Sequence, residues 1–177
     1  LERHATSKIQ VAEDLASIAT TGLRGEAIPS IASVSRMALT TLASGNETGE
    51  GTRIDIHAGK IRAVESAGHA GGTTIEVRSL FYNLPARRKF LRTVPTELSH
   101  CTEAVVREAL VHPGVDFTVE HGGSQVLSSP RTEEWARRAA DLLGAHGKAL
   151  VPIDFASGEL GVRALLSPVG VHQGSAK

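Results

Sequence analysis

Thr21 to Ile28 reads T-G-L-R-G-E-A-I, with glycines on both sides of Leu23–Arg24 and a helix-forming run from Glu26. Glycines at a loop-to-helix junction let backbone N–H groups come close to a ligand. The unpaired N–H groups of a helix's first turn, together with the helix dipole, attract anions. Arg24 adds a planar guanidinium suited to phosphate. The chemistry implied is an anion site on a mobile loop, with a nucleotide phosphate as the candidate ligand. The competing interpretation is an ordinary helix start behind a glycine turn, because short glycine motifs recur without function.

Two other stretches offer similar chemistry. In A-T-S-K (residues 5 to 8), Thr6 and Ser7 carry hydroxyl donors and Lys8 a point charge, all suited to phosphate oxygens; a solvated loop with a helix cap explains the same residues. Arg87, Arg88, Lys89 and Arg92 form the densest basic cluster, beside Phe81, Tyr82 and Phe90. It suits phosphate or nucleic acid, or is simply a solvated helix face. The lone Cys101 reads as a buried small apolar residue rather than a nucleophile. The eight histidines do not fall at metal-ligand spacing. No G-x-S-x-G elbow, Walker lysine loop or dinucleotide fingerprint occurs. Glu13–Asp14 and Glu133–Glu134 are helix neighbours, which do not face one another, so neither pair makes an acid–base site.

The elements that must position these residues follow from periodicity. Residues 12–20 carry Leu15, Ile18 and Ala19 at helical spacing, and Gly22 stops them. A second helix is expected over 26–33, burying Ile28, Ile31 and Ala32, with Pro29 tolerated in its first turn. Strands are expected at 36–42, 52–57 and 60–64, the last two joined by an Ala58–Gly59 turn. Ala43–Gly51 reads as a mobile turn and Ser66–Gly72 as a flexible loop, and Thr73–Val77 as a strand. Pro85 opens a short helix to Leu91. The strongest helical pattern spans Thr93–His112, with Thr93 or Thr96 as its cap and Leu98, Cys101, Val105 and Ala109 facing a core. A hairpin about Gly122–Gly123 follows. Ser128–Ser129–Pro130 reads as a linker, and Thr132 caps a helix to Leu143 with Trp135, Ala139 and Leu142 inward. Two strands about Ser157–Gly158 come last. The fold class expected is α+β with a mostly antiparallel sheet, because hairpins dominate. A domain boundary is expected near Ser129, giving 1–128 and a second domain cut short at 129–177.

Composition bounds the rest. Of 177 residues, 41% are hydrophobic and 3% aromatic, so a core of Ala, Val, Ile and Leu is affordable but base-stacking platforms are scarce. The net charge of +0 means that any nucleic-acid contact is a local patch. One cysteine fits a reducing compartment, hence a cytoplasmic location. No apolar run approaches the ~18 residues of a membrane span. The chain opens on Leu1 inside structured-looking sequence, as an internal fragment would.

Three segments occur in order at compatible spacing: R-H-A-T-S-K-I at 3–9, G-L-R-G-E-A-I-P-S-I-A-S-V-S at 22–35, and G-T-T-I-E-V-R-S-L-F-Y-N-L-P-A-R-R-K-F-L at 72–91. Together they closely resemble the N-terminal ATPase region of the MutL family of DNA mismatch repair proteins, within the GHKL superfamily. The likeness covers most of the chain and is strongest over 3–92. It implies the GHKL (Bergerat) α/β sandwich followed by the start of a transducer domain. It also implies that Gly22, Leu23, Arg24, Gly25 and Glu26 form the phosphate-contacting lid, that Thr6, Ser7 and Lys8 contact nucleotide, and that Thr73, in the Gly72–Thr73 strand start, bonds near adenine. Arg92 matches a basic position associated with DNA binding. The family's catalytic glutamate, metal-binding asparagine and adenine-reading Asp-x-Gly-x-Gly precede the lid and find no match here, and Gly45–Gly72 aligns with the family only loosely. No catalytic or metal-ligating residue is therefore assigned.

The cofactors implied are ATP and Mg2+. The partners implied are DNA held through its backbone, a second copy in a homodimer, a mismatch-recognition protein and downstream repair enzymes. Ordering a lid costs ~1–2 kcal/mol per residue, while one helix-end contact to an anion returns at most ~2 kcal/mol. Several contacts must therefore act together, which makes the lid a switch between nucleotide and dimerisation. The alternative is a DNA-binding or scaffold module with a degenerate ATP site. A third interpretation, a kinase relative, leaves P-A-R-R-K-F-L unexplained.

Overall fold

The computed structural model describes residues 25–45, 49–158 and 160–171. By its internal contacts the chain divides into two compact units, one up to Leu91 and one from Arg92.

The first unit is a helix on an antiparallel sheet. Helix α1 (Ala27–Ser33) follows Gly25, whose φ of 62° only glycine adopts freely. Strands β1 (Arg36–Leu42), β2 (Glu50–His57), β3 (Lys60–Gly68) and β4 (Gly72–Arg78) form one sheet in the order β3-β2-β1-β4, every pair antiparallel. The period of two sorts its faces. Met37, Leu39 and Thr41 of β1 stand opposite Ile56, Ile54 and Thr52 of β2 and opposite Val77, Ile75 and Thr73 of β4. That face is apolar at one end and hydroxyl-lined at the other. Ala32 of α1 seals the apolar end against Met37 and Ile56, with Ile28 and Ile54 beside them.

The expected helix at 26–33 and the strands at 36–42, 52–57 and 73–77 are all present. Two loop expectations are corrected: Glu50–Gly51 are not turn but the start of β2, and Ser66–Gly68 is not loop but the end of β3, paired with Glu50–Thr52, where Ser66 Oγ donates to Glu50 Oε1 at 2.5 Å. The small polar composition of both stretches reads as loop locally, yet cross-strand partners satisfy their backbone. The helix opened by Pro85 is also shorter than expected. Helix α2 spans Pro85–Arg88 and then tightens, with Phe90 and Leu91 N–H donating to the carbonyls of Arg87 and Arg88.

In the second unit α3 (Val94–Val111) is the long helix. Thr93 stands at its N-cap without a side-chain cap bond; its hydroxyl pairs with Thr96 Oγ1 at 2.9 Å. Glu97 instead reaches back to accept the Arg92 N–H at 2.8 Å. Ala109 is fully buried, but Cys101 is exposed, against expectation. Helix α3 packs against β5 (Phe117–His121), β6 (Ser124–Ser129) and α4 (Trp135–Leu143), and that packing leaves Cys101 uncovered. The β5–β6 hairpin turns on Gly122 and Gly123, both with positive φ. Ser128 and Ser129, expected in a linker, belong to β6, and Ser129 is buried. Helix α5 (Ala145–Ala149) follows Gly144 and was not anticipated. Strands β7 (Val151–Ser157) and β8 (Leu160–Leu166) form the last hairpin. The expected boundary near Ser129 falls within this second unit, at the end of β6.

Candidate functional site

Of the residues assigned to nucleotide, Thr6, Ser7, Lys8, Gly22, Leu23 and Arg24 lie outside the described residues, as does the helix expected at 12–20. Gly25, Glu26 and Thr73 are described. Glu26 is the N-cap of α1, and no side-chain cap bond occupies that helix start. Thr73 lies in β4, an edge strand of its sheet. Its hydroxyl meets Thr41 Oγ1 at 2.8 Å, and Thr41 Oγ1 also lies 3.2 Å from the Gly72 carbonyl.

The sheet brings these pieces to one face. Helix α1 packs at the Met37 end of β1, and Thr41 with Thr73 mark the other end, four residues or about 13 Å along the strand. Between them lie Leu39, Ile54 and Ile75, and Ile75 is 48% exposed. The described residues thus form an apolar floor with helix α1 packed at one end and hydroxyls at the other. Sequence reasoning named Thr73 but missed Thr41. The missing signal was strand pairing, since Thr41 and Thr73 are 32 positions apart and meet only through register.

The opposite face carries charge. Arg53 donates from Nε and Nη2 to the two carboxylate oxygens of Asp55, at 3.2 and 3.0 Å, and stands 3.8 Å from Glu76. That hydrogen bond, with the charge of Asp55, raises the Arg53 pKa further above its ordinary value. Arg78 also reaches Glu76, at 3.5 Å. With Arg36 and His57 these residues line a shallow depression of about 200 Å³. A larger groove of about 610 Å³ lies in the second unit, lined by residues such as Leu98, Thr102, Val106, Leu110 and Leu142. Neither holds Gly25, Glu26 or Thr73.

The basic cluster is presented to solvent. Arg87, Arg88, Lys89 and Arg92 are exposed, and none takes part in an ion pair among the described residues. No cluster of three or more His, Cys, Asp or Glu side chains able to hold a metal occurs among the described residues. No helix among them is long and apolar enough to cross a membrane.

No family model matches the chain. Individual relatives do. The chain is 50% identical to the DNA mismatch repair protein MutL of Anaeromyxobacter sp. (strain K) over 168 residues, which is 94% of this chain and 27% of that protein. It is 41% identical to MutL of Geobacillus kaustophilus over 175 residues, again 27% of the relative. The chain therefore spans about a quarter of the curated relatives it matches. Among solved structures it resembles the Aquifex aeolicus MutL ATPase domain complexed with ADP, at 30% identity and a TM-score of 0.68, over 94% of this chain and 62% of that one. The crystal structure of the N-terminal domain of a DNA repair protein shares the fold, with a TM-score of 0.70 at 22% identity over 98% of this chain and 55% of that one. The α+β fold with an antiparallel sheet is that of the MutL GHKL ATPase domain.

Proposed function

We infer that this chain, a MutL-family sequence over nearly all of its length, is part of the ATP-binding and ATP-hydrolysing region of a DNA mismatch repair protein. The observation that carries this reading is its likeness, in sequence and fold together, to a MutL ATPase domain that holds ADP. The apolar floor between α1 and Thr73 supports it, because a purine can lie on Leu39 and Ile75 while Thr73 supplies a hydroxyl at the edge. In this reading Gly22, Leu23, Arg24, Gly25 and Glu26 form the lid around the phosphates, and Thr6, Ser7 and Lys8 contact the nucleotide. Arg24 and the lid N–H groups stabilise negative charge developing on the phosphates.

The general base belongs to the complete protein: a glutamate that the family carries upstream of the lid activates water for attack on the terminal phosphate. Mg2+ would be held by an upstream asparagine of the same region, so no step is assigned to it through residues of this chain. The fragment alone is then inactive. Residues 1–128 are the later part of the ATPase domain and 129–177 the start of the transducer domain. Lid ordering on ATP drives homodimerisation in a cytoplasmic protein and couples a mismatch-recognition partner to downstream repair enzymes. Arg92 touches the DNA backbone. The test is calorimetric titration of the complete protein with ADP and ATP, alongside phosphate release with Mg2+. Saturable binding and turnover are expected; no binding at millimolar nucleotide overturns the reading.

Arg87, Arg88 and Lys89, exposed and without an ion pair among the described residues, favour a second reading, a DNA-binding or scaffold module with a degenerate ATP site. DNA binding that weakens with salt, in a complete protein without turnover, would select it.

A further inference from the structure

Strand register gathers basic residues that the sequence scatters. At one end of the four-stranded sheet, Arg36 of β1 stands opposite both His57 of β2 and Arg78 of β4, and His57 stands opposite Lys60 of β3. Directly opposed residues share a face. Lys60, His57, Arg36 and Arg78 therefore make one basic row across all four strands, in sheet order. Neighbouring strands lie about 4.8 Å apart, so the row is about 14 Å long. Lys60, Arg36 and Arg78 are exposed and His57 is half-buried. Arg36, His57 and Arg78 also line the shallow depression of that face.

Like charges set directly opposite one another weaken a sheet, so this row costs the fold stability. Acidic neighbours do not cancel it. In the adjacent row Asp55 holds Arg53 with both its oxygens, and Glu76 is shared between Arg53 at 3.8 Å and Arg78 at 3.5 Å. Glu65 stands opposite Arg53, away from the row. Arg36, His57 and Lys60 take part in no ion pair among the described residues.

The turn after β4 is fastened at the same end. The Arg36 guanidinium lies 5.1 Å from the Tyr82 ring centre. Phe81 N–H donates to the Val34 carbonyl at 2.7 Å, and Asn83 Nδ2 to that of Ser33, the last residue of α1, at 3.0 Å. Helix α2 opens two residues later, and Arg87 is at most about 14 Å of chain from Asn83. The row and the exposed Arg87, Arg88 and Lys89 thus belong to one end of the first unit.

We propose that the row Lys60–His57–Arg36–Arg78 is a binding surface for the phosphodiester backbone of a nucleic acid. A lone phosphate or carboxylate would need only the depression. A line of about 14 Å that leads on to three further exposed cations fits a chain of regularly spaced anions. The proposal adds a surface to the DNA contact of the proposed function and does not depend on the nucleotide site.

The test uses the complete protein and a DNA duplex, with affinity measured by fluorescence anisotropy over a series of salt concentrations. Lys60→Gln and Arg78→Gln should each lower the slope of log K against log salt by about 0.9, and the double variant by about 1.8. Arg78→Lys should keep the wild-type slope. The urea midpoint of Lys60→Gln should be no lower than wild type, since a like charge has been removed. Arg107→Gln, the same charge change on α3, should leave the slope as it was. An unchanged slope in the double variant overturns the proposal and leaves the Arg92 contact standing. In that case lost binding of polyglutamate would assign the row to an acidic protein, and lost binding of inorganic phosphate to a small anion. An equal fall in Arg107→Gln also overturns it, as an effect of net charge. A wild-type protein that binds no DNA overturns both surfaces, while the ATPase reading keeps its own test by calorimetry.

Discussion

Thr73 and Arg138 show how differently two polar side chains can be placed. Thr73 sits at a strand edge, with its hydroxyl shared with Thr41. Thr73→Val keeps the β-branched shape and removes the hydroxyl. Under the proposed function it should weaken ADP binding to the complete protein by about 1 kcal/mol, five- to tenfold in Kd, read by calorimetry, while Thr73→Ser should bind nearly as wild type. Arg138 is 1% exposed and has no carboxylate partner among the described residues. Its guanidinium donates to the Ser129 carbonyl at 2.9 Å, to Ser129 Oγ, to the Pro113 carbonyl at 2.5 Å and to the Val115 carbonyl at 2.7 Å. It therefore ties α4 to the ends of α3 and β6. Arg138→Met fills similar space but strands those acceptors, and should lower unfolding stability by about 3 kcal/mol, seen as a lower urea midpoint with nucleotide absent. In sequence Arg138 is one more arginine beside Arg137. Helical periodicity marked Ala139 and Leu142 as inward but could not mark a charge whose partners are oxygens of Ser129 in β6 and of Pro113 and Val115 more than twenty residues away.

Elements meet closely where side chains are missing. A Cβ on Gly147 would lie 2.0 Å from the Ala139 carbonyl oxygen and 2.8 Å from the Ala140 Cα. Those atoms are helix backbone of α4 and cannot step aside, so α5 lies against α4 only because residue 147 is glycine. Gly147→Ala should cost about 1–3 kcal/mol, measured by denaturation, with faster exchange in α4 and α5. Trp135 joins α4 to α3 by donating from Nε1 to the Leu110 carbonyl at 2.8 Å. The boundaries of β1 and, to within a residue, of α3 were legible in the sequence because alternation and helical spacing are local signals. The extension of β3 through Gly68 was not, because Ser66–Gly68 become strand only when Glu50–Thr52 lie beside them. Cys101 failed for a related reason: the pattern gives a helix an apolar face but not the width of the surface that covers it.

At the scale of the whole molecule, a ligand that binds the folded state stabilises it by mass action. If the complete protein binds ADP, free ADP at 100 times Kd should add about 2.7 kcal/mol to its stability and raise Tm with ADP concentration. A Tm indifferent to ADP would argue against the nucleotide reading by a route independent of turnover. The net charge of +0 gives this chain no global field to draw DNA in, and the exposed cluster at 87–92 is a local basic patch that the described residues offer in its place. By itself the sequence determined the α+β class, the family likeness, the order of strands and of the helices other than α5, and Gly25, Glu26 and Thr73 as candidates, since each is written in local spacing or motif. Only the tertiary structure decided that Thr41 would share Thr73's hydroxyl, that Asn83 would cap the end of α1, and that Arg138 would be buried. Those outcomes depend on register and on packing between segments tens of residues apart, which no local pattern encodes.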